Sequence, residues 1–397
     1  MLVFLNHDVT CYEKDRKERL ADYWTWGGNH LFIDTFLNAM PVKTIVKRVA
    51  RPTKDSLTLW FDKVDKLTHY LPGQHIFLSV IIKEESFTRT YSINTSPFQD
   101  DEIGVTMRVI PGGKVSNYLS ENAKAGMEVW LEGPAGQFTL IPSSTQSRHY
   151  IFFAAGSGIT PVISMIRSVL YAEPLSRISL IYSNHAYDKI IFKEELAILE
   201  QKFADRFQIR NTLTDTDGVP PHFNITYQGQ LSRLIIKRII KEVLASSDLK
   251  AIYYMCGPYG YMEVIRASLD ALGIPGDDIH QEHFYIPGNV SSTDFSSLPP
   301  TEVRLQVRDK EIMVHVPSGT SILQASLNAG LSLPHSCKAG QCGSCRALLI
   351  SGEVEMRTNH ILAADEIKEG QVLLCEGFPK SSNVVIKPIH VNAEVVR

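Results

Sequence analysis

No stretch of the chain approaches the roughly 18 uninterrupted apolar residues that a membrane span requires, and no segment repeats or falls into low complexity. The first residues, MLVFLNHDVT, have no basic lead-in and place Asp8 close behind a short apolar run, so they do not read as a secretory signal. Neither sign of charge is in surplus: 40 Lys plus Arg against 43 Asp plus Glu give a formal net charge of −3. A dedicated nucleic-acid binder carries a strong basic excess, and that class is excluded. Hydrophobic residues at 44% and charged residues at 21% belong to a folded chain, not a disordered one. Cysteine is scarce, six in 397 residues, and its clustering does not suit the disulfide framework of a secreted protein. What remains is a chain of two to three domains at about 150 residues each, expected in a reducing cytoplasm.

The chain changes texture along its length. Residues 1–40 form an arm, with a charged stretch, EKDRKERL, ahead of an aromatic one, YWTWGGNHLFIDTFL. Trp24, Trp26, Phe32 and Phe36 suit an interface, so the arm is expected to cover part of the body or to meet a partner or membrane surface. Residues 41–145 show short alternating runs such as SLTLWF, HIFLSVII and MEVWLEG, separated by PGQ, INTSP and PGG. This period-two pattern predicts an antiparallel β-barrel. In residues 146–285 strands alternate with helices, from HYIFFAAG and GITPVISMIRSVL to AIYYMCG, which predicts a doubly wound parallel α/β domain. Residues 286–300 are rich in Ser and Pro and read as a linker. Residues 301–397 form a last, charge-balanced domain.

Four of the six cysteines lie in that last domain. HSCKAGQCGSCRALL spaces Cys337, Cys342 and Cys345 as C-x4-C-x2-C, and Cys375 follows in VLLCEG. This is the plant-type spacing for a 2Fe–2S cluster. Gly340 and Gly343 let the loop curl so that backbone amides point at the sulfurs. The alternative is a structural zinc site, but zinc sites of four cysteines usually pair two short knuckles, and Cys375 has no near neighbour. From Thr301 onward the segment resembles a plant-type ferredoxin, including GEVEM and LLCE. The resemblance implies a β-grasp fold and a one-electron carrier.

Two further constellations concern cofactors. In the barrel-like region, FTRTYSINTSP carries Arg89, Tyr91 and Ser92, and IPGGKVSNYL places Gly112 and Gly113 before a helix. Glycines ahead of a helix N-terminus make an anion site, and an arginine adds a bidentate phosphate grip. Alone, R-x-Y-S is compatible with an ordinary edge strand. The pair resembles the flavin domain of the ferredoxin–NADP reductase superfamily. That resemblance implies FAD, with Arg89, Tyr91 and Ser92 on the flavin and Gly113, Lys114, Val115 and Ser116 on its phosphates. In the α/β region, Gly156-Ser157-Gly158 and Thr160-Pro161 sit between strand and helix, where a pyrophosphate can meet the helix N-terminus. Cys256-Gly257-Pro258 ends a later strand, and Glu282 and Phe284 close the region. A lone strand cysteine is usually a packing residue, but the superfamily places this motif beside the nicotinamide. The resemblance implies catalytic roles for Ser92, Cys256 and Glu282. His185, Asp215 and Asp217 stand where a 2′-phosphate would need cations, which favours NADH over NADPH.

The order of flavin, nicotinamide and ferredoxin domains resembles the iron–sulfur flavoprotein reductases that serve oxygenases, desaturases, hydroxylases and hybrid-cluster proteins. The expected path runs from NADH through FAD and the 2Fe–2S cluster to a partner protein. The arm loosely resembles that of reductases serving membrane desaturases, so the first expectation is a membrane di-iron desaturase or hydroxylase, with peripheral contact at the inner face of that membrane. The second is a Rieske-type oxygenase or hybrid-cluster protein. A third, of another class, is a non-enzymatic redox sensor or zinc-stapled interaction protein.

Overall fold

The computed structural model describes residues 41–64, 67–284, 291–307, 310–331, 333–335, 340, 343, 345–362 and 364–389. The N-terminal arm with Cys11, and the ligand candidates Cys337 and Cys342, lie outside the described residues. The chain forms two compact units, one running to Ile76 and resuming over Tyr91–Glu282, the other holding Phe77–Thr90 and His283 onward.

The alternating runs of the first region form antiparallel strands: β1 (Val42–Ile45), β2 (Arg48–Ala50), β3 (Ser56–Asp62), β4 (His75–Ile82), β5 (Glu85–Ser92), β6 (Glu102–Arg108) and, after helix α1 (Lys114–Asn122), β7 (Glu128–Ala135). β1 pairs with β7, and β2, β3 and β6 make a three-stranded sheet. The β4–β5 turn holds Lys83 and Glu84 at φ 51° and 68°, the two positive values a twisted two-residue hairpin demands.

The second region is a six-stranded parallel sheet in the order β11-β10-β9-β8-β12-β13. Its elements are β8 (Arg148–Ala155), α2 (Ile159–Ala172), β9 (Arg177–Asn184), α3 (Lys193–Lys202), β10 (Phe207–Leu213), β11 (Tyr227–Gln228), α4 (Arg233–Leu244), β12 (Lys250–Cys256), α5 (Tyr259–Asp270) and β13 (Ile279–Glu282). β8 reads RHYIFFAA because both its faces are covered. Tyr150, Phe152 and Ala154 meet α2 and α3, whereas Ile151 and Phe153 meet α4 and α5. A continuous apolar run is the signature of such a central strand. Each buried aromatic or aliphatic side chain contributes roughly 1.5–3 kcal/mol. Because all the strands are parallel, their C-terminal ends share one edge, where β8 ends at Ala155 beside Cys256 of β12 and Cys256 faces Glu282 of β13.

The C-terminal region holds β14 (Thr301–Val307), β15 (Lys310–Val316), α6 (Ile322–Asn328), β16 (Arg346–Ser351), β17 (Val354–Met356), α7 (Ala364–Lys368), β18 (Gln371–Leu373), β19 (Gly377–Pro379) and β20 (Val385–Pro388). The main sheet is ordered β15-β14-β20-β16-β18, with β14 parallel to β20 and antiparallel to β15. Ile322 and Leu323 of α6 pack on Val303, Leu305 and Ile386. In β14 every second residue is buried, the alternation of a one-sided sheet. A helix over a mixed sheet matches the β-grasp expectation.

Residues Ser291–Pro300, read from composition as linker, are packed on this region. The Ser291 amide donates to the Arg357 carbonyl at 3.0 Å, and the Gly319 amide donates to the Phe295 carbonyl at 3.0 Å. Phe295 is buried, its ring 4.2 Å from that of Phe378. One aromatic side chain supplies what the Ser- and Pro-rich composition lacks, an apolar surface worth burying.

Candidate active site

The sharp turn after β8 and the turn after β12 meet at one point. An added Cβ on Gly158 would lie 2.1 Å from the Cys256 carbonyl oxygen, and one on Gly257 3.0 Å from the Ala155 Cβ. Glycine is required at 158 for this close approach, which brings the two sequence motifs together. Gly156 takes φ 53°, and Gly156–Gly158 form one tight turn that runs straight into α2. The Ile159 amide, the first of α2, already donates to the Gly156 and Ser157 carbonyls, so an anion here would meet the Gly156–Gly158 turn and the favourable dipole of the helix it starts. Thr160 and Pro161 are buried in its first turn, where proline gives up no helical hydrogen bond.

Cys256 is fully buried. Burial, and after it the Glu282 carboxylate, push its thiol well above the usual range. It is therefore a neutral S–H at physiological pH, not a thiolate nucleophile. Glu282 sits in register opposite Cys256. Its Oε2 is buried and accepts no hydrogen bond from the described residues, whereas Oε1 lies 3.7 Å from Nδ1 of His75. An orphaned buried carboxylate oxygen is costly unless a ligand donor completes it. His75 opens β4, and Gly136 at φ 107° makes room for its ring, since a Cβ there would lie 2.9 Å from Nδ1. The preceding residue, Gln74, accepts from the Ile93 amide at 2.8 Å, next to buried Ser92. A continuous path of neighbours thus runs Ser92, Ile93, Gln74, His75, Glu282, Cys256, Gly158.

The flavin-side residues lie as follows. Gly112 takes φ 73°, and Gly113 caps α1 with no side-chain hydrogen bond, so the amides of Lys114, Val115 and Ser116 stand at an uncapped helix start. The Ser116 hydroxyl instead accepts from the Ile110 amide at 3.2 Å. Tyr91 is half-buried on β5. The Arg89 guanidinium donates to the Thr88 carbonyl at 2.7 Å, and Phe284 is 41% exposed.

Sequence reasoning missed His75 and Arg108. The Arg108 guanidinium lies 3.4 Å from where a Gly156 Cβ would stand, over the turn expected to take the pyrophosphate. Its Nε is buried, makes no hydrogen bond with the described residues and lies 3.8 Å from Asp55, which also pairs with Lys189 at 3.2 Å. The available signal was one cation ending the apolar run EIGVTMR just before the glycine pair. Of the residues expected to exclude NADPH, His185 bonds Thr214 at 2.8 Å and its carbonyl accepts from the Asp215 amide at 2.7 Å. This sets a carboxylate-bearing loop at the ends of β9 and β10.

In the C-terminal unit, Cys345 and Cys375 are both buried, and the Leu374 amide donates to the Cys345 carbonyl at 3.1 Å. Gly340, at φ 65°, points its amide at Cys375 Sγ, 3.4 Å away. An amide aimed at a cysteine sulfur is the donor pattern that offsets the charge of a thiolate-bound cluster.

Three family models cover most of the chain. An oxidoreductase FAD-binding domain matches residues 45–140, an oxidoreductase NAD-binding domain residues 152–267, and a 2Fe–2S iron–sulfur cluster binding domain residues 305–380. The chain is 34% identical to a component of the 1,2-phenylacetyl-CoA epoxidase of Escherichia coli K12 over 359 residues, 86% of this chain and 96% of that protein. It is 31% identical to the ferredoxin reductase component of 3-ketosteroid-9-alpha-monooxygenase of Rhodococcus rhodochrous, across 86% of this chain and 95% of that one. Among solved structures, phthalate dioxygenase reductase superposes with TM-score 0.52 at 22% identity, covering 87% of this chain and 98% of that one. The uncapped start of α1, the glycine turn into α2, a buried carboxylate oxygen without a partner among the described residues and an amide aimed at Cys375 fit the three cofactors those domains bind, FAD, NAD(H) and a 2Fe–2S cluster. The chain belongs to the ferredoxin–NADP reductase superfamily, as an NADH-dependent iron–sulfur flavoprotein reductase with a C-terminal 2Fe–2S domain.

Proposed function

We propose that this reductase delivers electrons to the oxygenase component of a multicomponent epoxidase or monooxygenase. The observation that carries the reading is the 34% identity to an epoxidase component over 96% of that component's length. A ketosteroid monooxygenase component and the reductase of a glycine betaine monooxygenase support it. The membrane desaturase expected from the arm finds no support among these relatives, and peripheral membrane contact rests on that arm alone. No helix among the described residues is long and apolar enough to cross a membrane.

In this reading the turn at Gly156–Gly158 and the start of α2 hold the dinucleotide pyrophosphate, with Arg108 above it. Gly257 and Pro258 shape the turn beside the nicotinamide. Cys256 presents a neutral thiol that adds no charge where hydride leaves. Glu282 Oε2 accepts from the ligand's amide group, and His75 holds Oε1 in place. Arg89, Tyr91 and Ser92 would contact the flavin, and residues Gly113–Ser116 its phosphates. Bound together, the cofactors convert a two-electron hydride donor into a one-electron output. Cys337, Cys342, Cys345 and Cys375 hold the cluster from which electrons leave.

Anaerobic titration with NADH and then NADPH, followed by optical spectra, tests the first half. Bleaching of both flavin and cluster at lower NADH than NADPH concentration is expected. For the second half, the reduced protein is mixed with an oxygenase component and its substrate. Product in step with NADH consumed supports the acceptor assignment; transfer to a membrane desaturase alone overturns it. A colourless preparation unreduced by either nucleotide would restore the zinc-stapled, non-enzymatic alternative.

A further inference from the structure

Helix α2 is buried along its whole length except at Arg167 and Tyr171, yet one of its faces is polar. Ser164, Arg167 and Ser168 stand at i, i+3 and i+4, on one side of the helix. Ser168 behaves as buried helical serines commonly do, donating to the Ser164 carbonyl at 2.7 Å. Ser164 does not. Its hydroxyl leaves the helix and donates to the Thr95 carbonyl at 2.6 Å. With its own proton committed to Ser164, the Ser168 oxygen accepts from Ser96, 2.9 Å away. Arg167 donates through Nη2 to Asp100 Oδ1 at 2.8 Å and lies 3.4 Å through Nε from Glu195 of α3.

All three contacts outside the α/β domain fall in one loop, residues 95–100, which leaves the end of β5 three residues after Ser92. That loop is held on its own side too. The Tyr70 hydroxyl donates to Thr95 Oγ1 at 2.9 Å, the Gly104 amide donates to the same oxygen at 3.1 Å, and Asp100 Oδ2 accepts from the Ser96 amide at 2.7 Å. At its other end α2 begins at Gly158, packed on the Cys256 carbonyl. Five residues therefore separate the nicotinamide turn from Ser164, and two separate Ser92 from Thr95, whose carbonyl Ser164 holds.

We propose that this seam sets the distance between the flavin strand and the nicotinamide turn, with Arg167 and Ser164 as positioning residues for hydride transfer. Packing alone would hold α2 against the loop, but apolar contacts tolerate sliding. Directional bonds from a guanidinium fork and a buried hydroxyl fix register. Hydride transfer demands such fixity, because misplacement by about an ångström costs on the order of a hundredfold in rate. No new chemical step is added: the donor loses a hydride and the flavin gains it, as in the established reaction. The inference rests on the assignment of Ser92, Cys256 and Glu282 to the hydride site.

The test uses the full-length protein with its cofactors. Arg167→Met, Arg167→Lys and Ser164→Ala are compared with wild type by anaerobic stopped-flow reduction with NADH and with NADH deuterated at C4, alongside amide hydrogen exchange. Arg167→Met is expected to slow flavin reduction on the order of 10- to 100-fold at saturating NADH, with KM much less changed and the deuterium effect enlarged. Arg167→Lys, which keeps charge but loses the fork, falls between, and Ser164→Ala slows reduction about fivefold. Exchange at the amides of Ser96, Gln99 and Asp100 speeds up in each variant. Wild-type rates and isotope effects in both Arg167→Met and Ser164→Ala overturn the proposal, as does a loss of rate that only follows lost flavin. Cys256→Ala, measured in parallel, separates the two readings: an unchanged rate there removes the hydride-site assignment, whatever the seam variants do.

Discussion

The nucleotide region and the ferredoxin region build their sites by opposite means. In the first, Cys256 and Glu282 end neighbouring strands and Gly158 lies in the turn after the buried strand β8, so the site inherits the rigidity of a sheet covered on both faces. In the second, Cys375 closely follows β18 and Cys345 directly precedes β16, with Gly340 and Gly343 shortly before Cys345 in sequence. A sheet edge is preorganised without its ligand. A cysteine loop gains much of its definition from the metal it binds, because metal-binding free energy is then folding free energy.

That contrast predicts the largest effect. Cys375→Ser should remove the cluster's visible absorbance and cut cytochrome c reduction by roughly a hundredfold or more. It should also lower the unfolding temperature of the ferredoxin region, while NADH-to-ferricyanide activity through the flavin survives. Loss of both activities together would mean that the two regions are not separable as described.

Acid should find the two regions at different pH. Burial, followed by the charges of Arg177 and Arg210, pushes the His149 imidazole from 6.5 down to about 4. Between those values the unfolded chain binds the proton and the folded chain does not. Stability is therefore complete above about pH 6.5 and falls as pH drops toward 4, by about 3 kcal/mol at most. In the ferredoxin region, the Ser291 and Thr293 hydroxyls, then Lys380, hold the Glu355 carboxyl at about 2. The sign is the same but the window is lower: that contribution is complete above about pH 4.5 and is lost toward pH 2. Urea melts of His149→Gln at pH 5 and pH 7 should lose most of the wild-type difference, and an unchanged difference would refute the assignment.

Gly158→Ala tests the preorganised edge directly. The added methyl meets the Cys256 carbonyl at 2.1 Å, so backbone must move, at about 1–3 kcal/mol, and KM for NADH should rise. Gly260→Ala is the control, since a Cβ there meets no atom of the described residues within 4 Å, and it should leave KM at its wild-type value without lowering the melting temperature.

The smallest effect is expected from Glu355→Gln. It weakens a partly exposed pair with Lys380 and the grip on Ser291 and Thr293. The melt of the ferredoxin region should move by a degree or two, and its acid sensitivity between about pH 4.5 and 2 should flatten. Flavin reduction by NADH should not change.

Much of this was legible in the sequence where chemistry and spacing coincide. C-x4-C-x2-C with a distant fourth cysteine, Gly156-Ser157-Gly158 after an apolar strand, and Cys256-Gly257-Pro258 each constrain backbone or ligand identity locally. Other features carried no local sign. His75 reads as the first residue of a strand, and only the position of β13 makes it a neighbour of Glu282. Ser164, Arg167 and Ser168 interrupt an apolar helix in a way that a solvent-facing stripe would equally explain; their bonds to residues 95–100 show otherwise. For the stretch 286–300, expected as a linker, composition gave no sign of the Phe295–Phe378 ring contact, because the average over Ser and Pro hides a single aromatic.

By itself, the sequence determined the three cofactor domains and their order. Those follow from local backbone freedom, helix starts and ligand spacing. Only the tertiary structure decided that Gly158 rests on Cys256, that Glu282 keeps an oxygen without a partner among the described residues, and that a serine and an arginine of α2 bind the loop behind Ser92. Such pairings depend on sheet order and on contacts between residues dozens of positions apart. No periodicity within a segment encodes which distant segment will lie against it.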